Sequence, residues 1–118
     1  MEDKRKDSGK IAEDLAAEFL LKEGYVIIER NYMYSHSEID IIAKKSMYLV
    51  FIEVRSKSGT KYGTPEDSMS KSKRSQVRKV AEYYLFTHKA LNLQMRFDFI
   101  GVVFGEKEPK INHIVNAF

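Results

Sequence analysis

The segment Glu38–Arg55, with the sequence EIDIIAKKSMYLVFIEVR, decides how this chain folds. Two runs rich in Ile, Val, Tyr and Phe, Glu38–Ala43 and Tyr48–Arg55, flank the short basic stretch Lys44–Met47. β-Branched and aromatic residues favour strands, and so short a connection favours an antiparallel hairpin. The segment therefore predicts two paired strands.

Three acids interrupt these apolar runs, and the register decides whether they meet. If Ala43 pairs with Tyr48, then Glu38, Asp40 and Glu53 share one face, with Asp40 diagonal to Glu53. A register shifted by one residue would put the acids on opposite faces. We favour the first register because it also collects the apolar residues on the other face: Ile39, Ile41, Val50, Ile52 and Val54.

Like charges on adjacent strand positions repel, and burying them is costly unless a cation compensates. Two cations can do so here: Arg55, on the same face as Glu53, or a bound divalent ion. A set of oxygen ligands alone favours a hard ion, Mg²⁺ or Mn²⁺. Such an ion suits phosphodiester hydrolysis, since it neutralises phosphate charge and activates water.

Upstream, the sequence predicts a helix capped by Ser8 that runs to about Glu23 and ends at Gly24. With Ile11 taken as zero, its apolar residues span an arc from 0° to about 180° at 100° per residue. Glu13 falls near 200°, roughly at the border of this arc. We therefore predict that Glu13 points towards the sheet and could add a third carboxylate.

The rest of the chain completes a single α/β (α+β) domain over residues 1–118, with a mixed sheet flanked by helices in the order αβββαββ. Beyond the hairpin and the first helix, the predicted elements are a strand Tyr25–Arg30, a loop Asn31–Ser37, a loop Ser56–Ser70, a helix Lys71–Lys89, and strands Arg96–Phe104 and Ile111–Ala117.

Charge is unevenly distributed along the chain. The net charge is only +3, but residues 54–96 contain 10 Lys and Arg against 3 Asp and Glu. On the second helix Lys73, Arg74 and Arg78 are candidates for phosphate contacts, the alternative being a solvated helix face. Its aromatic residues, Tyr83, Tyr84 and Phe86, are interpreted as core rather than as base-stacking platforms.

Composition excludes some classes of site. The chain has no cysteine, which rules out disulfides, thiolate zinc sites and cysteine nucleophiles. The N-terminal stretch is charged with both signs, unlike a signal peptide, and no apolar run approaches a membrane span. We therefore expect a cytoplasmic protein with no membrane partner.

Several ordered blocks resemble the uncharacterised YraN-like family of small bacterial proteins along nearly the whole chain. The matching residues include Gly9-x-x-Ala12-Glu13-x-x-Ala16, Gly24-Tyr25, Arg30-Asn31-Tyr32, Glu38-Ile39-Asp40-Ile41-Ile42-Ala43, Val50-Phe51-Ile52-Glu53-Val54, Tyr62-Gly63-x-Pro65, Lys73, Ala81-x-x-Tyr84-Leu85, Arg96-Phe97-Asp98 and His113-Ile114-Val115-Asn116-Ala117-Phe118. That family is similar to archaeal-type Holliday-junction resolvases and is placed in the restriction-endonuclease-like fold.

The resemblance implies that Glu13, Asp40 and Glu53 are metal-binding acids, with Glu38 either a fourth participant or a strand-start residue. It also exposes one departure, because Arg55 stands where the family pattern has a lysine. Lysine in this motif is thought to position or deprotonate the attacking water. Arginine is permanently charged and cannot accept a proton, although it can orient water or stabilise a phosphate.

Three hypotheses follow from these residues. The first is a Mg²⁺- or Mn²⁺-dependent DNA endonuclease, acting on branched DNA by analogy with resolvases, in which Glu13, Asp40, Glu53 and Arg55 form the catalytic site. The second is a nucleic-acid-binding module on the same fold that is catalytically weak because of Arg55. The third is a protein-interaction domain. A homodimer is expected only by analogy with resolvases.

Overall fold

The computed structural model describes residues 4–58, 69–89 and 92–118, with side chains from residue 9 onwards. The predicted mixed sheet with two helices in the order αβββαββ is confirmed. Its elements are α1 (Lys4–Lys22), β1 (Val26–Tyr34), β2 (Ser37–Lys45), β3 (Tyr48–Ser58), α2 (Lys71–His88), β4 (Gln94–Phe104) and β5 (Lys110–Ile114).

The five strands form one sheet in the order β1-β2-β3-β4-β5. Neighbouring strands are antiparallel except β3 and β4, which run parallel and are joined through α2. A parallel pair needs such a crossover because its strands begin at the same end of the sheet. The two helices cover opposite faces, each with its own apolar cluster.

The central hairpin has a tighter turn than the sequence predicted. Lys45 pairs with Tyr48, and the ladder continues to Ile41 and Ile52. The predicted pairing of Ala43 with Tyr48 is therefore wrong by two positions. A shift of two residues preserves the face of each residue in the ladder, which ends at Ile41. It brings Asp40 beside Glu53 instead of diagonal to it.

The predicted apolar face is correct except at one residue. Ile41, Val50, Ile52 and Val54 pack in the α1-side cluster, whereas Ile39 packs in the α2-side cluster. Regular alternation would have kept Ile39 and Ile41 on the same face. The ladder between β2 and β3 ends at Ile41, so the start of β2 is free to twist away from that pattern.

Helix α1 turns a different face to the sheet than its apolar pattern indicated. Ala12, Ala16 and Ala17 are buried, whereas Ile11 is half exposed. The buried arc thus runs from about 100° to about 240°, which puts Glu13, near 200°, inside it rather than at its border. Small alanines let the helix approach the sheet closely. The larger Ile11 lies at the margin of the contact.

The two ends of α1 illustrate which local signals are reliable. The helix begins before Ser8, so the prediction that Ser8 caps it is wrong. At the other end, Gly24 has φ +90 and its N–H donates to the Leu21 carbonyl at 3.1 Å. The predicted ending at Gly24 is confirmed, because glycine adopts this left-handed conformation without a steric penalty.

Elsewhere most boundaries moved by a few residues. Strand β1 extends through most of the loop predicted at 31–37, because a two-residue turn suffices to reach β2. Strand β5 ends at Ile114, before the predicted Ala117. The predicted loop Ser56–Ser70 lies partly outside the described residues. Its first residues belong to β3, and Ser70 caps α2 by accepting from the Lys73 N–H at 3.1 Å.

The interpretation of three aromatic residues on α2 as core holds for only one of them. Tyr84 is buried, as are Val77, Val80 and Ala81, but Tyr83 and Phe86 are exposed. Phe86 faces away from the sheet, whereas Tyr83 lies on the flank of the helix and stacks on Tyr34 of β1. Neither of the two described helices has the length and apolar character needed to cross a membrane.

Candidate metal centre

Three carboxylates converge where α1 passes over the start of β2. Glu13, Glu38 and Asp40 each place one oxygen so that all three lie within 4.8 Å of one another. Glu13 comes from the buried arc of α1, and the other two are alternate residues of β2. We call these three side chains the acid cluster.

Two residues of β1 hold the acid cluster from the other side. The Arg30 guanidinium pairs with Glu13 at 3.1 Å and with Asp14 at 2.6 Å. The Asn31 amide donates to Glu13 at 3.0 Å and to Glu38 at 2.8 Å. Consecutive strand residues normally point to opposite faces, but Asn31 has φ 55. This left-handed backbone lets Arg30 and Asn31 reach the same acids.

Asp40 takes over a hydrogen bond at the point where the β2–β3 ladder stops. Its Oδ2 accepts from the backbone N–H of Val54 at 2.8 Å. A carboxylate therefore occupies the place where a β2 carbonyl would otherwise accept, and the two strands separate there. This separation leaves room between them for the side chains of Asp40 and Glu53.

Glu53 is buried within the apolar strand β3, with only 1% of its surface exposed. Its Oε2 lies 3.2 Å from Arg55 Nη1 and 3.9 Å from Lys73 Nζ. Its Oε1 has no hydrogen-bond partner among the described residues, which is rare for a buried oxygen. Glu53 lies outside the acid cluster but interacts with it electrostatically through Asp40.

Both strand acids have perturbed protonation. Burial raises the pKa of Glu53 to about 8, with a further rise from the neighbouring Asp40 charge. Burial likewise raises the pKa of Asp40 to about 6, although the Val54 N–H opposes this by favouring the charged form. Asp40 and Glu53 both disfavour the charged form, which indicates that the cationic side chains around them do not fully compensate two negative charges.

An open cleft of about 650 Å³ gives access to the acid cluster. It is polar on the α1 and β1 sides and reaches Asp40 at its floor. Its lining residues are Gly9, Lys10, Glu13, Asp14, Arg30, Asn31, Asp40, Val54 and Arg55.

Some of the site residues predicted from the sequence meet at the cleft, and others lie elsewhere. Glu13, Asp40, Glu53 and Arg55 all lie at the cleft or directly behind it. Lys73, predicted to contact phosphate on an outer face, instead points at Glu53. Arg74 and Arg78 lie on the other flank of α2, where Arg74 borders Phe99 and Arg78 stacks on the Phe97 ring at 4.6 Å.

Sequence reasoning did not assign a site role to Arg30 and Asn31, and it left Glu38 undecided. The signal for the first two was present, since Arg30-Asn31-Tyr32 is one of the blocks that resemble the family. Their convergence on Glu13 depends on a left-handed residue within a strand, which no alternation pattern indicates.

A second buried polar group, Asp98, belongs to the core rather than to the cleft. Arg96 donates two bonds to Asp98, at 3.0 and 2.8 Å, and His113 and the Asn116 N–H also contact it. Burial alone would raise the pKa of Asp98, but the bonds from His113, Arg96 and Asn116 lower it below its usual value. Arg96 and Asp98 therefore form a structural ion pair.

The model of the family described as "Uncharacterised protein family UPF0102" matches residues 12–102. A UPF0102 protein of Clostridioides difficile is 43% identical over 113 residues, covering 96% of this chain and 97% of its own. UPF0102 proteins of Flavobacterium psychrophilum and Dictyoglomus thermophilum are 42% and 37% identical, covering 95% and 96% of this chain and 93% and 98% of their own. The matched region contains every residue of the acid cluster together with Glu53, Arg55 and Lys73, and the chain belongs to the UPF0102 family.

Proposed function

We propose that this protein is a Mg²⁺- or Mn²⁺-dependent endonuclease that hydrolyses phosphodiester bonds of DNA. The observation that carries the proposal is Oε1 of Glu53, a buried carboxylate oxygen next to Asp40 that has no hydrogen-bond partner in the part of the chain that the structure describes. A buried acceptor without a donor is costly, and a bound cation would remove that cost.

The donor set fits a hard divalent ion. All candidate ligands are carboxylate oxygens, which Mg²⁺ and Mn²⁺ prefer over nitrogen or sulfur. Asp40 would hold the ion together with Glu53 or with the other two acids of the acid cluster, Glu13 and Glu38. Such an ion supplies phosphate neutralisation and activation of a water molecule.

The cationic side chains around the acids have roles of their own. Arg55 lines the cleft and carries a permanent charge, so it can bind a phosphate oxygen and stabilise the added negative charge during hydrolysis. Lys73 approaches the same Glu53 oxygen from the start of α2. We propose that Lys73 orients a water molecule or phosphate there, a role that the motif lysine would have at position 55.

Metal binding and cleavage are tested separately. Calorimetric titration with Mn²⁺ should show binding that Asp40→Asn and Glu53→Gln abolish, whereas Glu23→Gln, at an exposed acid outside the cleft, leaves it unchanged. Labelled duplex, nicked and four-way DNA incubated with Mn²⁺ should be cleaved by the wild type and not by Asp40→Asn. Absence of both Mn²⁺ binding and cleavage on every substrate would overturn the proposal.

A second candidate function is DNA binding without efficient cleavage. The contact between Arg55 and Glu53 supports it, because a fixed guanidinium can neutralise this carboxylate without any metal. The variant Arg55→Lys separates the two functions. If the wild type binds DNA without cutting it and Arg55→Lys cuts, the second function is correct.

A further inference from the structure

An exposed group of aromatic rings lies at the end of the β1–β2 hairpin. Tyr34 stacks on Tyr83 of α2, with ring centroids 3.8 Å apart and planes at 13°. Tyr34 is 41% exposed, Tyr83 is 38% exposed, and Phe86, one helical turn further, is 81% exposed. We call Tyr34, Tyr83 and Phe86 the aromatic ledge.

The core does not account for the ledge. Helix α2 fills its core with Val77, Val80, Ala81 and Tyr84, and Tyr84 stacks on His88 and packs edge-on against Phe51. Phe86 lies on the opposite side of the helix, and Tyr83 lies on the flank next to β1. Grouped exposed apolar side chains on a small protein are typical of a surface that binds something.

The charge around the ledge indicates what it binds. Lys79 lies one turn before Tyr83, and at 100° per residue Lys79, Tyr83 and Phe86 share a face about 60° wide. Helix α2 carries five Lys and Arg residues and a single acid, Glu82. Aromatic faces beside cations are what proteins use to bind single-stranded nucleic acid, with bases on the rings and phosphates on the cations.

The ledge and the acid cluster lie at the same end of the β1–β2 hairpin, on opposite faces of the sheet. Tyr34 pairs with Ser37 and packs on α2, whereas the next residue, Glu38, belongs to the acid cluster on the α1 side. Because β1 is an edge strand, a DNA strand can pass around this end of the sheet from one face to the other.

We propose that the aromatic ledge stacks the unpaired bases of a DNA strand that continues around the edge of the sheet to the acid cluster. This inference rests on the proposed nuclease function and specifies its substrate class. Bases can reach the rings of Tyr83 and Phe86 only when they are not paired within a duplex. The substrate is therefore DNA with an unpaired segment, such as a single-stranded end, gap or branch, rather than a continuous duplex.

The binding test uses fluorescence anisotropy in EDTA, so that no metal and no cleavage contribute. The probes are a labelled twelve-nucleotide thymidine strand, an abasic strand of the same length and a blunt duplex of the same length. The wild type should bind the thymidine strand about tenfold more tightly than the abasic strand. Tyr83→Ala and Phe86→Ala should lose this preference, and Tyr83→Phe should retain it.

A matched control is Met47→Ala, which removes another exposed apolar side chain, from the far turn of the β2–β3 hairpin. It should leave all three affinities unchanged. Equal binding of the thymidine and abasic strands by the wild type would contradict the proposed role of the ledge. A change of oligomeric state in Phe86→Ala with unchanged DNA affinity would also contradict it. Neither result bears on metal-dependent cleavage, and absence of cleavage would not alter the binding preference for the thymidine strand.

Discussion

Glu53 has both oxygens buried, yet its two cationic neighbours contact only one of them. Burial is the main reason that its proton is retained above the usual pH range of a glutamic acid. A folded-state pKa above the ordinary value of 4.5 means that the folded protein binds a proton that the unfolded chain has released. The protein without metal is therefore stabilised by protonation at this site.

We predict that the free energy of unfolding in EDTA falls as the pH rises from about 5 to about 8, by at least about 1 kcal/mol. The stabilisation is complete below the unfolded-state pKa and is lost as the pH passes through the folded-state pKa. Urea denaturation at a series of pH values measures this. Glu53→Gln should flatten the profile, whereas Glu23→Gln should not. A wild-type stability that increases over this range would contradict the prediction.

Asp98, unlike Glu53, is a buried acid with hydrogen-bond partners on both of its carboxylate oxygens. Its partners hold it charged, so its contribution to stability is present above the ordinary pKa and is lost as the pH falls through the lower folded-state value. Its main partner, Arg96, also donates to the Tyr25 hydroxyl at 2.6 Å, which ties β4 to the residue that follows α1.

Asp98→Asn should therefore destabilise the protein by about 3 kcal/mol, because it leaves the Arg96 charge largely buried without a counterion. Urea denaturation at neutral pH gives the value. The double variant Asp98→Asn with Arg96→Met should recover part of the loss by removing the unpaired charge. A loss below about 1 kcal/mol in the single variant would show that the pair contributes little.

Strand β1 is the element in which local backbone shape matters most for the site. Asn31 adopts a left-handed conformation, which asparagine tolerates better than most residues. Because of it, two consecutive side chains reach Glu13, whereas regular strand geometry would send Asn31 to the other face. Tyr32 and Tyr34 then point towards α2, where Tyr32 packs edge-on against Tyr84.

At Asn31 we predict that glycine is the better replacement and alanine the worse, by about 1 kcal/mol in unfolding free energy. Both variants lose the amide hydrogen bonds, but only alanine is strained at positive φ. Met33 on the same strand is the matched control, since its φ is not positive. There glycine should be less stable than alanine. The same order at both positions would contradict this reading of β1.

At the scale of the whole molecule, the three α2 cations that were predicted to contact phosphate lie in two different places. Lys73 faces the buried Glu53, whereas Arg74 and Arg78 border the surface near β4 and β5. We therefore expect Arg74 and Arg78, rather than Lys73, to contact the backbone of a long polyanion on this flank of α2. The net charge of +3 hides this arrangement.

DNA binding in EDTA should weaken with salt, and Arg74→Ala and Arg78→Ala should each reduce the slope of log affinity against log salt by about 1. Titrations at several salt concentrations by anisotropy measure the slopes. Lys107→Ala, in the turn between β4 and β5, is the control and should leave the slope unchanged. Unaltered slopes in both arginine variants would place the backbone contacts elsewhere.

The sequence by itself determined the elements that depend on local patterns. Runs of β-branched and aromatic residues specified the hairpin strands, and the stop at Gly24 ended α1. The apolar spacing of α2 predicts a buried stripe of Val77, Val80, Ala81, Tyr84 and Leu85, of which Leu85 alone is only partly buried. These features arise from backbone sterics and periodicity, which neighbouring residues settle among themselves. The strand acids could also be identified as candidate site residues from the sequence, because charged residues are unusual inside apolar strands.

Only the tertiary structure decided how the acids are grouped and what surrounds them. It brought Glu38 into contact with Glu13 and Asp40, held Glu53 just behind them, and moved Lys73 from an outer face to that carboxylate. It also exposed Tyr83 and Phe86, which have the same apolar character as core residues. These outcomes depend on the turn length of a hairpin, one left-handed residue and the rotation of two helices against the sheet. Each is set by long-range packing, because a change of one residue or of a fraction of a turn alters which side chains meet.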